Sequence, residues 1–187
     1  MKLLILDNYD SFVYNLVHMI KELGHEPVVK RNDKITLEEV DAFDKILLSP
    51  GPGIPKEAGI MMDLLKEYAS KKSIFGVCLG HQAIGESFGA NLKNLDLVYH
   101  GIVTETAIKN SEVTFKGLPS TFKTCRYHSW VVDTEGLPNE LEVTATNSEG
   151  AIMALQHKKY DVRGVQFHPE SFLTEHGEKM ILNWLES

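Results

Sequence analysis

The chain has 187 residues and a formal charge of −7, with 26 Asp and Glu against 19 Lys and Arg. That length suits one α/β domain with a substantial core, and no Pro/Gly/Ser-rich linker divides it, so residues 1–187 are read as a single domain. The acidic balance argues against a nucleic-acid surface, and no apolar run reaches membrane-spanning length. The start, Met1-Lys2-Leu3-Leu4-Ile5-Leu6-Asp7, lacks a signal core and cleavage site, and Cys78 and Cys125 make no disulfide framework. The expected setting is reduced and cytoplasmic.

Leu3 to Leu6 is a short apolar run of the kind buried on both faces of a sheet. Ser11 is placed as the cap of a helix carrying Phe12, Leu16, Val17, Ile20 and Leu23, with Gly24 as its stop. Pro27-Val28-Val29 reads as a second strand, and Thr36 with Glu39 has capping-box spacing for a short helix. A third strand, Lys45 to Ser49, runs into Pro50-Gly51-Pro52-Gly53, which can continue neither strand nor helix. Ile60, Met61, Leu64, Leu65 and Tyr68 form a helical stripe. Ser73 to Val77 is a fourth strand, and Gly80 to Phe88 a helix ended by Gly89. This order predicts an open, mainly parallel sheet flanked by helices. From Asn91 to about Phe167 short strands follow one another, which predicts an antiparallel extension. Thr174 is placed as the cap of a last helix with Met180, Ile181, Trp184 and Leu185 facing inward.

The chemistry concentrates after the fourth strand. Gly76-Val77-Cys78-Leu79-Gly80 has the spacing of a nucleophile elbow with cysteine in the nucleophile's place. So sharp a turn strains the nucleophile's backbone and crowds the positions two residues away on either side, where glycine removes the clash. The sulfur would lie at a helix N-terminus, which favours thiolate, and the Leu79 N–H is a natural oxyanion donor. Cys125 has no such setting and reads as a buried structural cysteine.

A base must come from eight histidines. His81 sits on the helix after Cys78 and points away from the elbow tip, and the Cys78–His81 pair lacks the second pair a zinc site needs. His18, His25, His157 and His176 read as solvated surface. His168 follows an apolar strand, and Pro169 biases it toward extended backbone. Residues two apart then project to one side, so Glu170 can orient the His168 ring as the third member of a triad does. Pro50-Gly51-Pro52-Gly53 should line the same cleft, since ligands of open α/β sheets bind at the carboxyl ends of the strands, and a Gly53 N–H can be the second oxyanion donor.

Four ordered motifs, Pro50-Gly51-Pro52-Gly53, Gly76-Val77-Cys78-Leu79-Gly80-His81-Gln82, Arg126-Tyr127-His128-Ser129-Trp130 and Val165-Gln166-Phe167-His168-Pro169-Glu170-Ser171, resemble the class I (triad-type) glutamine amidotransferases over essentially the whole chain. Leu6-Asp7-Asn8-Tyr9-Asp10-Ser11-Phe12, Lys30-Arg31-Asn32-Asp33 and Ile54-Pro55 are similar to the small subunits of chorismate-using synthases, those making anthranilate above all and aminodeoxychorismate as the alternative. The resemblance implies a flavodoxin-like sheet, catalysis by Cys78, His168 and Glu170, and a γ-glutamyl thioester on Cys78. It also implies that Gly51, Pro52, Gly53, Gln82, Ser129 and Trp130 hold the glutamine. Ammonia would pass to a chorismate-binding partner subunit, with no cofactor in this chain and Mg²⁺ only on the partner.

Two positions depart from the family pattern. Ile102 stands where His-Gly-Lys is common, a different subunit contact or a simple surface change, and Val13 replaces a common threonine; both sites bear on pairing with the synthase and neither touches the triad. Competing classes are weaker. A receiver-like module wants an acceptor Asp where Ser49-Pro50 stands, and a flavodoxin-like module wants a phosphate loop where Asn8-Tyr9-Asp10-Ser11 offers no glycine. A cysteine peptidase or γ-glutamyl hydrolase would share the triad and differ in substrate.

Overall fold

The computed structural model describes residues 1–110 and 112–187. Strands and helices alternate through β1 (Leu3–Asp7), α1 (Val13–Glu22), β2 (Val28–Arg31), α2 (Leu37–Val40), β3 (Lys45–Leu48), α3 (Met61–Tyr68), β4 (Ser73–Val77) and α4 (Leu79–Ser87). Then come β5 (Leu92–Asn94), β6 (Ile102–Ile108), β7 (Thr121–Arg126), β8 (Trp130–Val132), β9 (Leu141–Asn147) and β10 (Ile152–His157). The chain closes with β11 (Val162–Val165) and α5 (Gly177–Leu185).

Nine strands make one sheet in the order β2-β1-β3-β4-β11-β10-β9-β6-β7. The pairings from β2 across to β11 are parallel and those from β11 across to β7 antiparallel, the extension expected. A separate ribbon pairs β5 with β8. The decisive placement is that of β11, which returns from the antiparallel region to lie parallel beside β4, with Val165 opposite Val77. The residues following these two strands therefore leave the sheet at the same edge, and the Cys78 N–H donates to the Val165 carbonyl at 2.9 Å.

The central strands alternate their side chains between two cores, as a period of two requires. Leu4, Leu6, Ile46, Leu48 and Ile74 pack with Leu64, Leu79 and Ile84 on one face. Leu3, Ile5, Leu47, Phe75 and Val77 pack with Leu16, Ile20, Met180 and Trp184 on the other. The strands read as unbroken apolar runs because both faces are covered. Among the described residues no helix is long and apolar enough to cross a membrane.

Local expectations fare unevenly. The Thr36–Glu39 capping box forms, with Thr36 Oγ1 accepting from the Glu39 N–H and Glu39 Oε2 from the Thr36 N–H. Ser11 does not cap α1. Asp10 Oδ2 accepts from the Phe12 N–H at 2.7 Å, the helix starts at Val13, and Val13 rather than Phe12 is buried on its stripe. Thr174 does not cap α5 either; that place falls to His176, with φ 61°. His157 is buried rather than solvated, its ring stacked on Tyr160 and its Nδ1 accepting from the N–H groups of Lys159 and Tyr160.

Candidate active site

Cys78 begins the turn from β4 into α4 with φ 51° and ψ −98°, a left-handed backbone that a non-glycine residue adopts only where its surroundings enforce it. Those surroundings are the flanking glycines. A Cβ on Gly76 would stand 2.5 Å from the Gly80 carbonyl, and one on Gly80 would stand 2.4 Å from the Leu48 carbonyl of the adjacent strand. Backbone opposes backbone at both points, so neither neighbour can yield. Leu79, first residue of α4, has an N–H with no intrahelical acceptor, which frees it for an incoming oxyanion.

His168 lies beyond β11, 2 % exposed, and its Nδ1 donates to Glu170 Oε1 at 2.7 Å. A carboxylate can only accept, so this bond places a proton on Nδ1 and, in the neutral ring, the lone pair on Nε2. His168 Nε2 is buried and has no hydrogen-bond partner. Phe12 and Tyr127 pack edge-on against the ring. Thr174 supports the same residue, its Oγ1 donating to the His168 carbonyl at 2.7 Å and accepting from the Cys125 N–H at 3.0 Å. Burial pulls the His168 pKa down, but the nearby Cys78 sulfur and the hydrogen-bonded Glu170 carboxylate outweigh it and hold the imidazole well above 6.5. The thiol itself donates to the Tyr127 carbonyl at 3.7 Å and accepts from Gln166 Nε2 at 3.6 Å.

Cys78 opens onto a cleft of about 230 Å³ walled by Gly51, Gly53, Gln82, Tyr127, Ser129 and Trp130. That is below the roughly 300–1,000 Å³ of sites for drug-sized ligands and suits a single amino acid better than a peptide. Gly53 holds φ 72°, and a Cβ on Gly51 would stand 2.6 Å from the Asn8 Cβ, so the loop closes on its support only as glycine. Pro52 departs from the expected set. It lines a neighbouring cavity with Asn8, Tyr9 and Asp33 and does not wall the Cys78 cleft. Gln82 lines the cleft, and its Nε2 is spent on the Trp130 carbonyl at 2.8 Å and on Gln166 Oε1 at 3.2 Å.

His81 is fully buried against Gly164 of β11, and burial lowers its pKa to about 4. It is a packing residue. The early acids Asp7 and Asp10 are spent on turns, accepting from the N–H groups of Tyr9 and Phe12.

Two buried groups escaped the sequence reading. Arg126, wholly buried, stacks its guanidinium 3.6 Å from the Tyr99 ring centroid and donates from Nε to His128 Nε2 at 3.0 Å. The His128 Nδ1 therefore carries the proton and donates to the Trp130 carbonyl at 3.0 Å. Burial first, and the Arg126 charge second, push the His128 pKa down to about 3, so the ring that braces the Ser129-Trp130 segment stays neutral. The other is Gln166. Its signal was available, since the two-residue alternation that linked His168 to Glu170 reaches back to Gln166 as well.

Fold and site together are those of an α/β protein arranged for cysteine-dependent acyl transfer. Comparison with known proteins narrows this. The family model described as glutamine amidotransferase class-I matches residues 4–187. Aminodeoxychorismate/anthranilate synthase component 2 of Bacillus subtilis is 45 % identical over 187 residues, 99 % of this chain and 96 % of the relative. Anthranilate synthase component 2 of Thermus thermophilus is 47 % identical over 191 residues, 100 % of this chain and 92 % of the relative. The crystal structure of a glutamine amidotransferase from Thermotoga maritima shares the fold at a TM-score of 0.79 and 13 % identity, covering 100 % of this chain and 96 % of that one. The chain belongs to the class I glutamine amidotransferases.

Proposed function

We propose that this chain is the glutaminase subunit of an anthranilate synthase, a single amidotransferase domain that releases ammonia for a chorismate-binding partner. The observation that carries the chemistry is the His168–Glu170 bond of 2.7 Å, with the unpartnered His168 Nε2 on the far side of the ring. Cys78 Sγ attacks the side-chain carbonyl carbon of glutamine as its proton passes to His168 Nε2. The oxyanion settles on the N–H groups of Leu79 and Gly53. As the tetrahedral species collapses, His168 returns the proton to the departing nitrogen, leaving ammonia and a γ-glutamyl thioester on Cys78. His168 then takes a proton from water, which attacks the thioester carbonyl; the C–S bond breaks, glutamate leaves, and His168 returns the proton to the Cys78 sulfur.

In this reading Gly51, Gly53, Gln82, Ser129 and Trp130 hold the substrate, and Pro52 stiffens the loop from its other side. The reaction asks no cofactor of this chain, and Mg²⁺ is assigned to the partner subunit. A reduced, cytoplasmic setting agrees with two free thiols. A second reading, a subunit serving an aminodeoxychorismate synthase or both enzymes, is supported by the Bacillus subtilis relative, which carries both names.

Reconstitution with each chorismate-binding subunit, supplied with glutamine or with ammonium salts, tests the proposal. Glutamine-dependent anthranilate formation should appear with the matching partner, and Cys78→Ala should abolish it while leaving the ammonium-dependent reaction intact. Equal loss of both reactions, or full glutaminase turnover without any partner, would overturn the division of labour.

A further inference from the structure

Gln166 is wholly buried, one residue past β11, and no step above employs it. Its amide lies in a chain of three hydrogen bonds that begins at the glutamine-holding segment and ends at the nucleophile. Gln82 Nε2 donates to the Trp130 carbonyl at 2.8 Å and to Gln166 Oε1 at 3.2 Å, and Gln166 Nε2 donates to Cys78 Sγ at 3.6 Å.

A side-chain amide has nearly the same shape either way round, so the direction of such a chain is set by a member that cannot reverse. Here that member is the Trp130 backbone carbonyl, which can only accept, and which also takes the His128 Nδ1 proton at 3.0 Å. It fixes the nitrogen end of Gln82. The second Gln82 N–H then demands an oxygen from Gln166, and Gln166 is left with its nitrogen toward the sulfur. Turning the Gln166 amide over would set N–H against N–H at one end, costly where water is excluded, and a carbonyl oxygen against the sulfur at the other, costly once the thiol has lost its proton.

Besides its interaction with His168, the sulfur takes part in two hydrogen bonds among the described residues, as donor to the Tyr127 carbonyl and as acceptor from Gln166. Of these two only the second survives when the thiol proton leaves for His168, and an N–H donor is stronger against a charged acceptor than a neutral one. We propose that Gln166 is a positioning residue for the Cys78 nucleophile, its donor end locked toward the sulfur by the Trp130 carbonyl acting through Gln82. The segment that holds glutamine and the atom that attacks it are thus tied by one directed chain. The inference rests on the glutaminase reading for its purpose, and on the hydrogen-bond geometry for its substance.

Alkylation of Cys78 by iodoacetamide, timed on the full chain at fixed pH and located by peptide mass, reads the nucleophile without glutamine. Gln166→Leu keeps the bulk and removes the donor, and should slow alkylation on the order of tenfold, the scale of one hydrogen bond to a charged group. Gln166→Glu should slow it further, because an oxygen then faces the sulfur. Gln82→Met removes a side chain that does not touch the sulfur, yet should also slow alkylation by releasing the Gln166 amide to turn. The Gln82→Met/Gln166→Leu double variant should be little slower than Gln166→Leu alone. With partner and glutamine, Gln166→Leu should lower kcat and leave KM nearly unchanged. Folding of each variant is checked by its thermal transition. A folded Gln166→Leu that alkylates at the wild-type rate, or rate losses that multiply in the double variant, would overturn the proposal. If the Gln166 variants fail to fold, wild-type alkylation by Gln82→Met overturns it alone. A wild-type chain that alkylates as predicted but hydrolyses no glutamine with any partner would instead sink the functional reading.

Discussion

Glu170→Gln exchanges one oxygen for a nitrogen and removes one buried charge, so its effect isolates what the carboxylate does for His168. The wild-type bond from Nδ1 to Oε1 is 2.7 Å, and neither side chain is more than a few per cent open to water, 3 % and 1 %. A glutamine at 170 can present its oxygen, which keeps the tautomer but withdraws the charge that stabilises the imidazolium. If it presents its nitrogen, the tautomer reverses and an N–H faces Cys78 in place of a lone pair. Either way general-base assistance worth roughly 10²–10⁴ in rate is lost, about 3–5 kcal/mol of transition-state stabilisation. The same substitution has a signature in stability. Despite the opposing effect of burial, Cys78 and Glu170 hold the His168 pKa well above 6.5 in the folded chain. A pKa raised on folding contributes stability that is fully present below the unfolded value and fades as pH climbs through the folded one. The Tm gap between wild type and Glu170→Gln should therefore be widest near pH 6 and narrow toward alkaline pH. Steady-state kcat in the reconstituted enzyme and calorimetric Tm across pH 6–9 measure both effects. A variant within tenfold of wild-type kcat, or a gap that widens as pH rises, would refute the reasoning.

Two further changes probe the scaffold. Gly80→Ala places a Cβ 2.4 Å from the Leu48 carbonyl, so α4 must shift; it should cost about 1–3 kcal/mol and displace Cys78, read as lower Tm and slower alkylation. Thr174→Val strips the partner from the Cys125 N–H and the His168 carbonyl, and should cost about 1–3 kcal/mol by denaturant titration, with Thr174→Ser restoring most of it.

The parts legible in the sequence were those written in local pattern. Apolar runs gave the first four strands, Gly76 and Gly80 gave the elbow, and the spacing of His168 and Glu170 gave the buried pair. Caps were less legible where another side chain competed, as Asp10 does with Ser11 for the start of α1. Thr174 was drawn off by tertiary contact, its hydroxyl bonding Cys125 and His168 across 49 and 6 residues of sequence. His157 looked polar enough for the surface, and only the turn at Lys159 and Tyr160 gives its Nδ1 a buried use. The Gln82–Gln166–Cys78 chain was invisible for a similar reason. Its links join residues 84 and 88 apart, and they exist only because β11 inserts beside β4.

The most direct test of the central claim is to trap the acyl group. The reconstituted protein is mixed with glutamine, quenched in acid within the turnover time, digested, and searched for a γ-glutamyl adduct by peptide mass. The account predicts the adduct on the peptide bearing Cys78, as a thioester released by hydroxylamine, and none in Cys78→Ala. An adduct on another residue, or glutamine hydrolysis persisting in Cys78→Ala, would contradict it.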